Sequence, residues 1–177
     1  MEFRRAVRVS SLVVAVMATG CTAGSTATRS TEVYMIYQDL AGWSAEIPPG
    51  WKVLPFETSK GNASSVGTQI SNVELPAPEI DPGLPIQTSG LVLPLDGVSL
   101  IIATDNDPKN VQVPESPPAP PLSMEDFAQG SATGGGPTFS FLWFEVSGNL
   151  LLASIKAGPQ ADEATLRTLV ESIREAP

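Results

Sequence analysis

The sequence predicts an α+β domain, in which an antiparallel β-sheet is packed by a C-terminal amphipathic helix and a short additional helix. Three observations support this prediction. Apolar and polar residues alternate around residues 43–47, two apolar runs near the C-terminus are joined by Ser147-Gly148, and the apolar spacing after residue 162 becomes helical. Alternation with period two is typical of half-buried strands, whereas spacing at i, i+3, i+4 and i+7 is typical of an amphipathic helix.

The first ordered segment is predicted within residues 33–57. In GWSAEI, the apolar residues Trp43, Ala45 and Ile47 alternate with polar ones, which indicates a strand. The following PPG is a turn signal, because proline fixes φ and glycine permits positive φ. WKVLPF then continues as a second strand, so the pattern predicts a hairpin that brings Trp43 and Trp51 together.

The middle of the chain predicts two strands and a loop. A short strand is expected around residues 66–70. Residues 97–104 are apolar at both alternating positions, which is typical of a strand in the middle of a covered sheet. Residues 106–123 are rich in proline and predict an extended surface loop. SMEDFAQGS then predicts a short helix, which Ser123 can cap with Asp126 three residues later.

The last third of the chain predicts a hairpin and a helix. TFSFLWFEV and NLLLASIKA are apolar strands joined through Ser147-Gly148. One face of the first strand carries Leu142, Phe144 and Val146, and the other carries Phe139, Phe141 and Trp143. The helical stripe consists of Leu166, Leu169, Val170 and Ile173. Asp162 can cap this helix, and Glu163 with Arg167 forms an i, i+4 pair on its surface.

The N-terminal residues 1–20 have the three parts of a secretory signal peptide. A basic segment, MEFRRAVR, precedes the apolar run VSSLVVAVMATG, which is too short to span a bilayer core of about 30 Å as a helix. Ala18-Thr19-Gly20-Cys21 resembles the lipobox of bacterial lipoproteins, whose cysteine receives a diacylglyceryl group and becomes the first residue. The resemblance implies that Cys21 is lipidated and that the protein is anchored at the extracytoplasmic face of the cell membrane.

The order of elements also resembles a known fold. The matching segments are AEIPPGW, FEVSGNLLLASIKAG and LRTLVESI, and their order is similar to that of the PsbP-like α/β/α sandwich found in small secreted actinobacterial lipoproteins. The predicted organisation is a signal peptide at 1–20, a flexible tether at 21–32 and a single domain at 33–177. The fold is shared by proteins of different activity, so it implies no particular function.

Composition excludes several classes of protein. The chain contains no histidine, which excludes Ser-His-Asp catalysis and any zinc site that uses imidazole. Cys21 is the only cysteine, so no disulfide can form within one chain. Loss of residues 1–20, which carry three arginines and one glutamate, would change the net charge from −9 to −11. A chain this acidic is repelled by nucleic acid, so nucleic acid is not an expected partner.

Several acidic residues are candidates for a metal site or a catalytic site. Asp105, Asp107 and Asn110 form an acidic loop, but the glycine and terminal glutamate of an EF-hand are missing, so a solvated turn is expected rather than a metal site. Glu46 and Glu145 lie on predicted strands among aromatic residues. They could serve as paired carboxylates in glycoside hydrolysis, which requires a separation of about 5–10 Å, but exposed strand glutamates are the preferred interpretation.

The remaining candidate residues match no catalytic or phosphate-binding motif. Ser64, Ser65 and Ser154 lack a G-x-S-x-G context. The glycines at 134–136 are not followed by the Lys-Ser/Thr and helix start that phosphate binding requires. The large aromatic residues are expected mainly in the core, with one or two lining a groove; these are Trp43, Trp51, Trp143 and Phe144.

The leading hypothesis is a non-catalytic, lipid-anchored binding or adaptor domain of the cell envelope. Its expected contacts are the membrane, through the acyl chains on Cys21, and another envelope component. No catalytic residue, cofactor or metal is assigned. One alternative is an extracytoplasmic hydrolase that uses some of Glu46, Glu145, Asp105 and Asp107. The other is a carrier of an apolar ligand, which would need an internal cavity.

Overall fold

The protein is described by a computed structural model that covers residues 33–60, 63–78, 91–105, 115–130 and 139–177. These residues form nine strands, one α-helix and a single 3-10 turn. The strands are β1 (Met35–Gln38), β2 (Trp43–Ile47), β3 (Lys52–Lys60), β4 (Ala63–Ser71), β5 (Val98–Asp105), β6 (Ala128–Gly130), β7 (Phe139–Val146), β8 (Asn149–Ala157) and β9 (Arg174–Glu175). The helix, α1, spans Glu163–Glu171, and the 3-10 turn spans Met124–Asp126.

The strands form two antiparallel sheets. A six-stranded sheet has the order β3-β4-β5-β8-β7-β6, and a three-stranded sheet has the order β1-β2-β9. The described part of the chain is therefore mostly antiparallel β-structure with one helix, which agrees only in part with the predicted α+β class. We call the face of the large sheet that packs against α1 and the small sheet the inner face, and the opposite face the outer face.

The main core lies against the inner face of the large sheet. It is built from alternate residues of β4, β5, β7 and β8, from the inward side of β2 and from the apolar stripe of α1. Its largest fully buried members are Trp43, Phe144, Ile47, Ile70, Leu100, Ile102, Leu122, Leu151, Leu169, Ile173 and Val98. The small sheet and the helix together cover the inner face of the large sheet.

The central strands agree with the sequence pattern. β5 lies between β4 and β8, and it is buried on both faces: Leu100 and Ile102 point inward, and Ile101 and Ala103 point outward. The prediction of a covered strand at 97–104 is confirmed. β4 includes the strand predicted around 66–70 and extends beyond it at both ends.

The predicted hairpin of the two tryptophans is wrong. β2 pairs with β1 and β9 in the small sheet, whereas β3 pairs with β4 in the large sheet. The turn after β2 contains Gly50 at φ +80° and is closed by the Trp51 N–H, which donates to the Pro48 carbonyl at 3.2 Å. This turn leads the chain from one layer to the other, so Trp43 of β2 and Trp51, which directly precedes β3, contact the same core.

The hairpin of β7 and β8 is confirmed. Ser147 and Gly148 both have positive φ, +50° and +76°, as a two-residue turn of type I′ requires. Alternation along β7 is also as predicted, because Leu142 and Phe144 belong to the main core while Trp143 is buried on the outer face.

The C-terminal helix begins where the sequence predicts. The Asp162 carboxylate accepts hydrogen bonds from the backbone N–H groups of Ala164 and Thr165 at 3.1 and 3.3 Å, which makes it the N-cap. Arg167 lies 3.7 Å from Glu163, the predicted i, i+4 pair, and 2.6 Å from Glu125 of the 3-10 turn. These contacts are exposed and attach the helix surface to the segment before β6.

The short additional helix is only one 3-10 turn. Asp126 accepts hydrogen bonds from the Ser123 N–H and hydroxyl, both at 2.8 Å, so the predicted Ser123–Asp126 interaction is present. The chain then leaves the helical conformation because residues 128–130 form β6, which pairs with the edge of β7. Residues 115–123 of the predicted proline-rich loop contain no helix or strand, whereas 106–114 lie outside the described ranges.

A polar network joins the two sheets through the core. Thr68, which is fully buried in β4, donates from Oγ1 to Asp39 Oδ2 at 2.6 Å. The Tyr37 hydroxyl donates to Asp39 Oδ2 at 3.2 Å, and it lies 2.9 Å from Thr68 Oγ1 in a hydrogen bond for which either hydroxyl can be the donor. Asp39 Oδ1 accepts from the Ala41 N–H at 2.9 Å. The network fixes β1 and its following turn against the large sheet.

This network predicts an unusual titration of Tyr37. Burial of the phenol is the main cause of an increase in the Tyr37 pKa from 10.0 to about 12. The neighbouring Asp39 carboxylate contributes to this increase. The folded state favours the neutral phenol, so the stabilisation from Tyr37 is fully present below pH 10 and is lost as the pH rises from 10 through 12. During titration with base, we expect the tyrosinate absorbance of Tyr37 to appear at a pH about two units higher in the folded protein than in the unfolded chain.

The chain offers a direct control, since Tyr34 is the only other tyrosine. Subtracting the titration of Tyr37→Phe from that of the wild type isolates the Tyr37 phenol. Denaturant unfolding of both proteins between pH 10 and 12 should show a loss of stability specific to the wild type. Ionisation of Tyr37 near pH 10 would contradict the network.

Candidate functional site

An open groove of about 250 Å³ lies at the edge of the sandwich. Its walls come from three separate parts of the chain, namely the proline segment before the 3-10 turn, the end of β7 with its following turn, and β9. The lining residues are Pro117, Ala119, Pro120, Glu145, Val146, Ser147 and Glu175. We call it the carboxylate groove, because it is lined by one glutamate from each sheet, Glu145 of β7 and Glu175 of β9.

Hydrogen bonds hold the walls of the groove together. The Glu145 N–H donates to the Pro118 carbonyl at 2.9 Å, which attaches the proline segment to the edge of β7 beyond the end of β6. The Ser147 hydroxyl donates to Glu175 Oε1 at 2.7 Å. The large sheet, the small sheet and the proline segment are therefore linked at one corner.

The turn before β2 supports the same corner. Asn149 Nδ2 donates to the Ala41 carbonyl at 3.0 Å, and the Ala176 N–H donates to the Gly42 carbonyl at 2.8 Å. Gly42 has φ +92°, and a Cβ there would lie 2.9 Å from the Cβ of Ser147. Glycine is required at this position both by its conformation and by the close approach of the β7–β8 turn.

The groove is suited to a partner that supplies hydrogen-bond donors. Glu145 and Glu175 are exposed, and neither forms an ion pair within the described ranges. The neighbouring cation, Arg174, donates instead to the carbonyl oxygens of Glu171, the last residue of α1, and of Ile173. Ionised carboxylates can only accept hydrogen bonds, so ammonium, guanidinium or N–H groups are the chemistry that fits.

The structure does not bring Glu46 and Glu145 together. Glu46 lies on the exposed side of β2, opposite the inward-facing Trp43, Ala45 and Ile47. Glu145 lies on the outer-face side of β7, by its alternation with Phe144, so the main core separates the two carboxylates. Sequence reasoning identified Glu145 but missed Glu175, because nothing in the sequence indicates that β9 joins this corner.

Several predicted residues lie outside the described ranges. These are Cys21, Asp107, Asn110 and the glycines at 134–136. Asp105 is the last residue of β5. Among the residues that the structure describes, no group of three or more His, Cys, Asp or Glu side chains is arranged to hold a metal ion.

A second polar feature lies on the outer face of the large sheet. Buried apolar side chains form a small cluster there: Phe56, Ile101, Ala103, Trp143 and Leu152. Beside it lie four buried polar residues, Gln69, Ser99, Ser154 and Lys156, on neighbouring strands. In the sequence, this row is indicated by two polar residues, Ser154 and Lys156, that alternate with the apolar Ala153 and Ile155. Of the two polar residues, only Ser154 is among the candidate site residues identified from the sequence.

Hydrogen bonding within this row is uneven. Gln69 Nε2 donates to Ser99 Oγ at 3.1 Å, whereas Gln69 Oε1 and Ser154 Oγ are buried and have no hydrogen-bond partner among the residues that the structure describes. The Lys156 ammonium donates to the Leu91 carbonyl, and burial lowers its pKa. The absence of a partner for the Ser154 hydroxyl gives no support to its use as an activated nucleophile.

Comparison with known proteins finds no family model, no curated protein and no solved structure that matches the chain. Within the described residues, no helix is long and apolar enough to cross a membrane.

The outer-face row predicts different effects of two serine substitutions on stability. Ser99→Ala leaves the buried Gln69 amide without its acceptor, so we expect the free energy of unfolding to fall by about 1–3 kcal/mol. Ser154→Ala removes a hydroxyl that has no partner, so we expect a neutral or slightly stabilising effect. Denaturant unfolding of the wild type and the two variants measures the change in the free energy of unfolding that each substitution causes. Equal destabilisation by the two variants would show that Ser154 is bonded in solution.

Proposed function

We propose that the protein is a lipid-anchored binding protein of the cell envelope, held at the extracytoplasmic face of the membrane and without catalytic activity of its own. Residues 1–20 are an export signal, Cys21 carries the acyl chains, and the domain that begins at residue 33 binds another envelope component. The finer fold we propose is a PsbP-like sandwich, supported by the packing of a C-terminal helix and a second layer on one face of an antiparallel sheet.

The single observation that carries this proposal is the position of Cys21. The only cysteine of the chain directly follows Ala18-Thr19-Gly20, at the end of a basic and then apolar segment. Val33, the first described residue, is exposed, so a preceding anchor can leave the domain without disturbing the core. The diacylglyceryl group supplies two acyl chains, which give stable membrane attachment, whereas a single chain would be marginal.

The carboxylate groove supports the binding role and suggests the chemistry of the partner. Glu145 and Glu175 line an open groove, and no lysine or arginine is among its lining residues in the described part of the chain. The predicted mature chain has a net charge of −11, so its field also attracts cations and repels anionic partners. We infer that the partner presents a lysine- or arginine-bearing segment of an envelope protein.

The anchor is tested by the mass of the N-terminal peptide from the membrane fraction. We expect a diacylglyceryl-modified peptide that begins at Cys21 in the wild type and in the matched control Thr22→Ala. Cys21→Ala should remain unmodified at that position and should leave the membrane fraction. An unmodified Cys21 peptide recovered from the medium would contradict the proposal.

The binding role is tested by formaldehyde crosslinking in cells. Glu145→Gln combined with Glu175→Gln should reduce the crosslinked product at least roughly tenfold, because each charge-assisted hydrogen bond contributes about 1.5–3 kcal/mol. The matched control is Glu163→Gln with Glu171→Gln, two exposed glutamates on α1. Crosslinking that is unchanged by the groove variant, or reduced equally by the control, would exclude the groove as the binding site.

A further inference from the structure

Exposed apolar side chains are concentrated at the start of the domain. Of the nine large hydrophobic residues exposed in the described ranges, five lie between residues 33 and 40. They are Val33, Tyr34, Met35, Ile36 and Leu40, which we call the N-terminal strip. Single exposed apolar residues are common on soluble proteins, so the feature that distinguishes this region is the concentration of five of them within residues 33–40.

The strip follows the outer edge of the small sheet. β1 pairs only with β2, so its other side is an edge within the described structure. Ile36 is paired with Glu46 and points away from the core, and Leu40 occupies the turn after β1, where it is 86% exposed. The Tyr37–Asp39–Thr68 network holds this strand and turn against the large sheet, so the strip is presented by a fixed part of the fold.

We propose that the N-terminal strip rests on the bilayer that holds the acyl chains. This inference depends on the proposed lipidation of Cys21. Residues 22–32 connect Cys21 to Val33, and they can span at most about 40 Å when fully extended. The strip begins at Val33, where these residues end, so it is the part of the domain that the tether holds nearest to the membrane.

The chemistry of the strip indicates how deep it lies. The edge of β1 has backbone N–H and C=O groups that need water or another partner, which excludes the hydrocarbon interior. Tyrosine and aliphatic side chains are suited to the boundary between headgroups and acyl chains. Glu46 lies beside Ile36 on the same face of the sheet, so anionic headgroups weaken the contact and zwitterionic lipids favour it.

A second copy of this chain is the competing occupant, because an exposed apolar edge strand can also pair with another edge. The tether length favours the bilayer over the second copy. The membrane lies within reach of the strip in every anchored molecule, whereas pairing with a second copy depends on protein concentration.

The test uses the full acylated chain in phosphatidylcholine vesicles that contain nitroxide-labelled acyl chains. Acylation blocks Cys21, so a single introduced cysteine can carry an environment-sensitive dye. Leu40→Cys reports on the strip. Leu54→Cys is the matched control, because Leu54 is an exposed leucine on the outer face of β3, away from the small sheet.

We expect the dye at residue 40 to lose roughly half of its emission to the lipid nitroxides, as for a group that enters about 5–10 Å into the boundary region. The dye at residue 54 should be unaffected. Adding Ile36→Asp to Leu40→Cys, or raising the fraction of phosphatidylglycerol, should restore the emission.

Two results would overturn the inference while the anchor stands. One is vesicle flotation of acylated protein without quenching at residue 40. The other is a blue shift in the emission of the dye at residue 40 that increases with protein density on the vesicle and is insensitive to lipid nitroxides. This result would identify a second copy of the chain as the occupant. Protein that lacks the acyl group and does not float would instead overturn the proposed function, and the inference with it.

Discussion

The fold depends on one constraint, which is that the central strands of the large sheet are apolar on both faces. Ile101 and Ile102 point to opposite sides of β5, and both are fully buried, so each face must be covered. Nine residues of helix are too few to cover the inner face of a six-stranded sheet. The small sheet supplies the remaining cover, and this explains why β2 leaves its sequence neighbour β3 and joins the opposite layer.

Because the small sheet is short, polar contacts fix its position. Thr68 contributes a buried hydroxyl from the large sheet, and Asp39 receives it from the turn after β1. At the other end of the same turn, Gly42 lies against Ser147, whose hydroxyl bonds to Glu175 of β9. A buried hydroxyl without a partner would be costly, so these contacts give the small sheet one preferred position over the core.

Local features were predictable from the sequence, and pairings between distant segments were not. The alternation in β5, the turn at Ser147-Gly148 and the cap at Asp162 each depend on a few adjacent residues. The choice of partner for β2 depends on β9, more than a hundred residues away, and two residues of β9 carry no periodic signal. Glu145 could be singled out as a strand carboxylate, but its convergence with Glu175 is a consequence of that distant pairing.

The two surfaces proposed to bind are neighbours in the fold, and this limits the partner. Leu40 of the N-terminal strip lies in the same turn as Ala41 and Gly42, which bond to Asn149 and Ala176 at the corner of the carboxylate groove. When the strip rests on the bilayer, the groove opens close to the membrane surface. A freely diffusing ligand gains nothing from this arrangement, whereas a basic segment beside the membrane anchor of another protein meets Glu145 and Glu175 at high local concentration. The two proposals together therefore imply a partner that is itself bound to the membrane.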